Sequence, residues 1–255
     1  MMRIVAIQEK TIGLTAASRN SSIRFDSMTA SVVAVHTDAE KDGKPLIGLA
    51  FDSIGRYGHG GLLRERFIPR LLAADPRDYA DDKGSIDPAK AWSVMMRDEK
   101  PGGHGERPGA VGLLDAAFWD ICAKKAGLPL WAFLAREDGR AADNAVEVYA
   151  SGGHYRTQND IAGLSDDIRR AAARGYRHFK IKIGGLPVAD DAKRVDCVLR
   201  LLEPGMTLAV DGNGTFSLET AIEYADALSS YPLRWIEEPV HPLDYELHRA
   251  LAQRC

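Results

Sequence analysis

Four residues of opposite charge stand where successive apolar runs end: Lys180 and Lys182 in FKIKIGG, Asp211 in LAVDGN and Glu237 in WIEEPV. Two ammonium groups facing two carboxylates can bind an anion and move a proton beside it. Lys180 and Lys182 are separated by one residue, so in a strand both side chains project to one face and the two amines share a site.

Those runs need a scaffold that brings them together. Each is followed by a helical pattern of about fifteen residues, a β-α rhythm that implies a parallel sheet. In such sheets functional groups gather at the carboxyl ends of the strands, where all four residues lie. The pattern predicts strands over Val146 to Ala150, His178 to Ile183, Thr207 to Val210 and Leu233 to Ile236. Between them it predicts helices from about Asp160 to Arg174, closed by Gly175, from Pro187 to Leu202, from Ser217 to Leu228, and from about Asp244 onward.

The first 140 residues read differently. Ile4 to Glu9, Ser31 to Thr37 and Leu46 to Phe51 suggest an antiparallel meander with a turn at Asp42-Gly43, followed by helices near 61–73, 88–96 and 109–126. The fold class expected is α/β: an α+β domain over residues 1–140, then a (β/α) barrel segment over residues 141–255.

The motifs KIK, DGN and IEEP, with 29 residues from Lys182 to Asp211 and 26 from Asp211 to Glu237, resemble the enolase superfamily, mandelate racemase subgroup. The stretch AVGLLDAAFWDICAKKAGLPLW, with Trp119, Asp120, Lys124, Gly127 and Pro129, resembles a helix signature of the same subgroup. A narrower resemblance, to the D-tartrate dehydratases among the acid-sugar dehydratases, is carried by residues 99–107, by Gly55-Arg56-Tyr57-Gly58 and by Pro242-Leu243-Asp244-Tyr245.

The resemblance implies a capping domain followed by a TIM-like barrel, and a chemistry to match. A proton next to a carboxylate is very weakly acidic, because its loss sets a second negative charge beside the first. Asp211 and Glu237 would hold Mg²⁺, a hard Lewis acid suited to oxygen ligands. Lys182 would be the base, as enolase-superfamily sites use a Lys or His base with Mg²⁺. Lys180 would bind the substrate carboxylate and, as a neighbouring cation, lower the pKa of Lys182. Asn213 would reach the substrate or the metal's surroundings. A 2,3-dihydroxy acid would lose water through an enediolate and give a 2-keto acid.

Substrate contacts are also expected from the first domain, through loops near Asn20, Arg56 and Lys100. Tyr155, after the first barrel strand, is the better candidate there than His154, since its hydroxyl can bond a substrate oxygen. His104 reads as an exposed loop histidine.

The resemblance covers the first domain and about half of an eight-stranded barrel. A third metal-binding carboxylate and the general acid would lie beyond Cys255, so the chain is expected to be a fragment or a natural truncation. Three functions follow: a Mg²⁺-dependent dehydratase of an acid sugar, a racemase or cycloisomerase of the same superfamily, and a non-catalytic relative acting through assembly with a partner. A homo-oligomer is expected.

Composition agrees. The chain has 255 residues, 45% of them apolar and 27% charged, with a net charge of −3 and no basic cluster, which argues against nucleic acid as a partner. No apolar run approaches membrane length, and Cys122, Cys197 and Cys255 lack metal-ligand spacing. A reduced, cytoplasmic protein acting on a small hydroxy acid is the expectation.

Overall fold

The computed structural model describes residues 1–15, 19–52, 59–100 and 106–254. They form two compact units, one of Met1–Thr15 with Asp26–Asn144, the other of Ala16–Phe25 with Ala145–Cys255.

The first unit is built on an antiparallel sheet of β1 (Ile4–Gly13), β2 (Thr29–Lys41) and β3 (Lys44–Phe51) in that order. Alternation along β2 buries Ser31, Val33, Val35 and Thr37. The two residues joining β2 to β3, Asp42 at φ 52° and Gly43 at φ 70°, both take the left-handed region, as a tight hairpin of the right twist requires. Next come α1 (His59–Leu62), a π turn over Leu63–Phe67 and α2 (Ile68–Ala73). The wide turn precedes Pro69, which lacks an amide and whose ring crowds the carbonyl four residues earlier.

Four more helices complete this unit. They are α3 (Pro76–Tyr79), α4 (Pro88–Met95), α5 (Glu106–Ala126) and α6 (Leu130–Glu137). The side chains of Asp75 and Asp87 cap α3 and α4 by accepting from amides of the first turn. Gly127, at φ 71°, ends α5: its amide bonds to the Lys124 carbonyl and that of Leu128 to the Ala123 carbonyl, and Pro129 then starts α6. Leu114, Ala117, Phe118 and Ile121 of α5 close the core with Val33, Val35 and Leu46.

The second unit has strict β-α alternation: β4 (Ala150–Gly152), α7 (Asp160–Ala173), β5 (His178–Lys182), α8 (Val188–Leu199), β6 (Thr207–Asp211), α9 (Leu218–Leu228), β7 (Leu233–Glu237) and α10 (Tyr245–Ala252). The strands pair in parallel in chain order. Central strands β5 and β6 are buried over four of their five residues, and their apolar side chains pack with Leu164, Ile168, Val195, Val198, Ala221 and Leu228 of the helices. Among the described residues, no helix of either unit is long and apolar enough to cross a membrane.

One strand departs from expectation. Val146 and Val148 are exposed and outside the sheet, and β4 begins only at Ala150. Ala150 pairs with Phe179, so a strand from Val146 would need partners preceding His178, where the chain is still leaving the Gly175 cap of α7. An apolar pattern cannot supply a ladder without a neighbour.

In the first unit the buried His59 lies between two carboxylates, with Nδ1 2.7 Å from Asp52 and Nε2 3.0 Å from Glu106. A Cβ at Gly109 would lie 2.4 Å from His59 Nε2, whereas one at Gly112, on the same helix, meets nothing. Gly109→Ala should therefore lower stability by ~1–3 kcal/mol through overpacking. Gly112→Ala should raise it by up to ~1 kcal/mol through helix propensity. Urea unfolding of the two variants checks this, and equal effects would refute the close packing.

Candidate active site

Strand register builds the cluster. Lys182 pairs with Asp211, and Asp211 in turn with Glu237, so three neighbouring strands present the three residues at one level. The Lys182 ammonium donates to Asp211 Oδ2 at 2.7 Å. Lys180 Nζ lies 2.5 Å from Glu237 Oε1 and 3.4 Å from the same Asp211 oxygen. Lys180, Lys182 and Asp211 are buried, while the Glu237 side chain keeps a third of its surface exposed. Two positive and two negative charges thus meet where the sheet ends, and each offsets the other's loss of water.

Electrostatics distinguish the members. Burial opposes a charge on Lys180, but the hydrogen bond to Glu237 and the nearby Asp211 outweigh it and hold its pKa above the ordinary lysine value. Lys180 is therefore a fixed cation at neutral pH. His154 is pushed the other way, first by burial and then by the charge of Lys182, so it stays neutral.

The chain after β6 is shaped around Asp211. Asp211 Oδ1 accepts the Asn213 amide at 2.9 Å, and Asn213 takes a left-handed φ of 53°. The side-chain oxygen of Asn213 is buried and has no hydrogen-bond partner among the described residues. Gly212 has a packing role: a Cβ there would meet the Phe216 ring at 3.0 Å and the Glu238 carbonyl at 3.1 Å.

The other expected contacts divide. Asn20 lies in a segment laid on this loop: Ser21 and Ser22 donate to the carbonyls of Gly212 and Asn213. The Asn20 side-chain oxygen itself accepts the amides of Ser22 and Ile23, so it shapes its own turn. Tyr155 corrects the expectation of a substrate contact. It is buried, and its hydroxyl donates to Asp191 at 2.8 Å and accepts the Gly185 amide at 2.9 Å, so the group expected to bond a substrate oxygen is engaged within the protein. Burial, and then the Asp191 charge, push the Tyr155 phenol well above its ordinary range, so it remains a donor. Lys100 belongs to the first unit and is exposed, and its carbonyl accepts from Arg107. Arg56 and His104 lie outside the described residues.

Sequence reasoning missed two aromatic neighbours. Trp235 donates its indole N–H to Glu237 Oε2 at 3.0 Å, and the Tyr149 ring lies 5.2 Å from the Lys180 ammonium. The two rings meet edge to face at 5.5 Å. Stepping back two residues from Glu237 would have found Trp235, since both share a strand face. A cleft of about 340 Å³ beside β4 and α7 includes Lys180 in its walls but not Lys182, Asp211 or Glu237, so it is not where the four meet.

The donor set suits a hard divalent cation. Asp211 and Glu237 offer carboxylate oxygens, and the unpartnered Asn213 oxygen is a neutral one on the same loop. Among the described residues, no group of three or more His, Cys, Asp or Glu could hold a metal, so the set here is two carboxylates.

The Asp211 carboxyl is held below its ordinary range. Burial alone would raise it, but the bond from Lys182, the Asn213 amide and the two lysine charges prevail. A lowered folded-state pKa gives stability that is present above the unfolded value of about 4 and is lost as pH falls through the folded value. In metal-free buffer the wild-type urea midpoint should drop below about pH 4. Asp211→Asn should lack that part of the drop, while starting lower at neutral pH because two buried ammonium groups lose a partner. Identical acid limbs would exclude Asp211 as a source.

The chain resembles known proteins in sequence and in fold. Residues 163–255 match the family described as Enolase C-terminal domain-like. The chain is 30% identical over 234 residues to L-talarate/galactarate dehydratase of Salmonella typhimurium, which covers 90% of the chain and 54% of that protein. It is 27% identical over 237 residues to 3,6-anhydro-α-L-galactonate cycloisomerase of Streptomyces coelicolor, covering 91% of the chain and 58% of that protein. A racemase from Streptomyces coelicolor, solved with bound magnesium, superposes with a TM-score of 0.77 at 25% identity, over 100% of the chain and 67% of that structure. The chain therefore spans little more than half the length of these curated relatives. In sequence and in fold the chain resembles enzymes of the enolase/mandelate racemase superfamily.

Proposed function

We propose that the full-length protein is a Mg²⁺-dependent dehydratase of a hydroxy acid or acid sugar. The observation that carries this reading is the meeting of Lys180, Lys182, Asp211 and Glu237 through the register of β5, β6 and β7. Lys182 in its neutral form takes the proton α to the substrate carboxylate at Nζ. Lys180, the fixed cation, holds that carboxylate. The electron pair left at the α-carbon delocalises as an enediolate and expels the β-hydroxyl, which leaves as water with a proton from a general acid. The enol that remains becomes a 2-keto acid.

Asp211 and Glu237 would hold the Mg²⁺, which when bound supplies Lewis-acid stabilisation of the growing negative charge. This reading also requires a third carboxylate ligand and a general acid, which these four residues do not supply. Tartrate-like acids are the narrower class suggested by the stretches around Lys100 and Arg56. A racemase or cycloisomerase begins with the same proton abstraction, and the likeness to a cycloisomerase over 91% of the chain keeps that second reading.

The test is α-proton exchange in D₂O, followed by NMR, with the full-length protein and a panel of hydroxy diacids and aldonic acids. Lys182→Ala should slow exchange about 10²–10⁴-fold, the usual worth of a general base, and leave Mg²⁺ binding nearly intact. Undiminished exchange would remove Lys182 from the role. A 2-keto acid product supports the dehydratase, an isomer the second reading, and no exchange by the wild type would leave only the assembly role.

A further inference from the structure

A buried polar network lies directly behind Lys182. Arg194 on α8 is 1% exposed, and its guanidinium donates to the Lys182 carbonyl at 3.0 Å and to the Gly153 carbonyl at 2.8 Å. Its Nε lies 2.7 Å from Asp160, the first residue of α7, and its plane rests 4.1 Å from the Tyr155 ring centroid. Asp191, one turn earlier on α8, is fully buried. It accepts from the hydroxyls of Tyr155 and Tyr224 and from the Gly184 amide, at 2.7 to 2.8 Å. The Tyr155 hydroxyl in turn accepts the Gly185 amide.

Asp191 and Arg194 therefore hold the backbone on the carboxyl side of the lysine: Arg194 the Lys182 carbonyl at the strand end, Asp191 the Gly184 amide directly and the Gly185 amide through the Tyr155 hydroxyl. The guanidinium also ties the end of β4 to the end of β5. Burying an arginine and an aspartate costs several kcal/mol per ion after relaxation, and apolar packing would close this space at less cost. What apolar side chains cannot do is fix a carbonyl and two amides in one geometry, since only directional bonds do that.

We propose that Arg194 and Asp191 are positioning residues for Lys182, setting the backbone from which its amine projects to Asp211. This rests on the reading of Lys182 as the base. In the full-length protein, Arg194→Lys keeps the charge but cannot reach both carbonyls, and Tyr155→Phe removes one hydroxyl while keeping the ring. Each variant is assayed twice. One assay is α-proton exchange, resolved into kcat and KM. The other is the acetylation rate of Lys182 relative to the exposed Lys193, read by peptide mass spectrometry at one pH without substrate or metal.

Arg194→Lys should lower kcat about 10- to 100-fold, the scale of a small misplacement of a catalytic group, with KM nearly unchanged. Its Lys182 labelling should change relative to Lys193, and Tyr155→Phe should move both readouts the same way by less. Folded variants with wild-type kcat and wild-type labelling, or with a change in KM alone, would overturn the proposal. If Arg194→Lys does not fold, Tyr155→Phe decides. A labelling change together with undiminished exchange in Lys182→Ala would uphold the positioning and refute the base.

Discussion

Two ammonium groups two residues apart on a central strand cannot be taken out of water alone. The desolvation of Lys180 and Lys182 is bearable only because Asp211 and Glu237 arrive at the same level of the sheet, and this depends on the parallel register of β5, β6 and β7. A slip of one residue in β6 would turn Asp211 to the opposite face, leaving the buried Lys182 without its partner and Lys180 with Glu237 alone. The register and the charge cluster therefore enforce one another. The hydrophobic packing of α8 and α9 against the sheet supplies the rest of the constraint.

The same end of the sheet is held by a second set of polar bonds beneath it. Lys182 faces Asp211 with its side chain and Arg194 with its carbonyl, so one residue is fixed from two directions. Tyr155 shows how such a layer takes residues that a surface reading would assign to ligand. It follows β4 at a strand end, yet its hydroxyl is consumed by Asp191 and Gly185. On the other side, Trp235 steadies the more exposed Glu237, and the segment with Ser21 and Ser22 steadies the loop that carries Asn213. Three of the four charged side chains are buried, and the fourth, Glu237, is partly exposed.

The first unit follows a different logic. Its meander alternates cleanly, and α5 closes it by an approach so near that a Cβ on Gly48 would lie 2.2 Å from the Ala117 carbonyl. Its buried Glu99 is paired within the unit by Arg66, Arg70 and Arg107, and the buried His59 ring lies between Asp52 and Glu106.

Much of this was legible in the residues themselves. The β-α rhythm placed the strand ends, Asp42-Gly43 and Gly175 marked a turn and a helix stop by their tolerance of positive φ, and the two-residue period put Lys180 and Lys182 on one face. Charge type and spacing named Asp211 and Glu237 as their partners. Local sequence could not reveal which strand residues would lack a neighbour, so Val146 and Val148 were read as strand. Nor could it show that Tyr155 would turn inward, or that Asn20 would spend its oxygen on its own turn. Asp191 and Arg194 share the buried face of α8 with Val195 and Val198, a helical spacing visible in sequence, but what they grip lies on β4, β5 and α9. Periodicity and turn chemistry act over a few residues and can be read from the chain; hydrogen bonds and charge pairs between distant segments exist only once packing has brought the partners together.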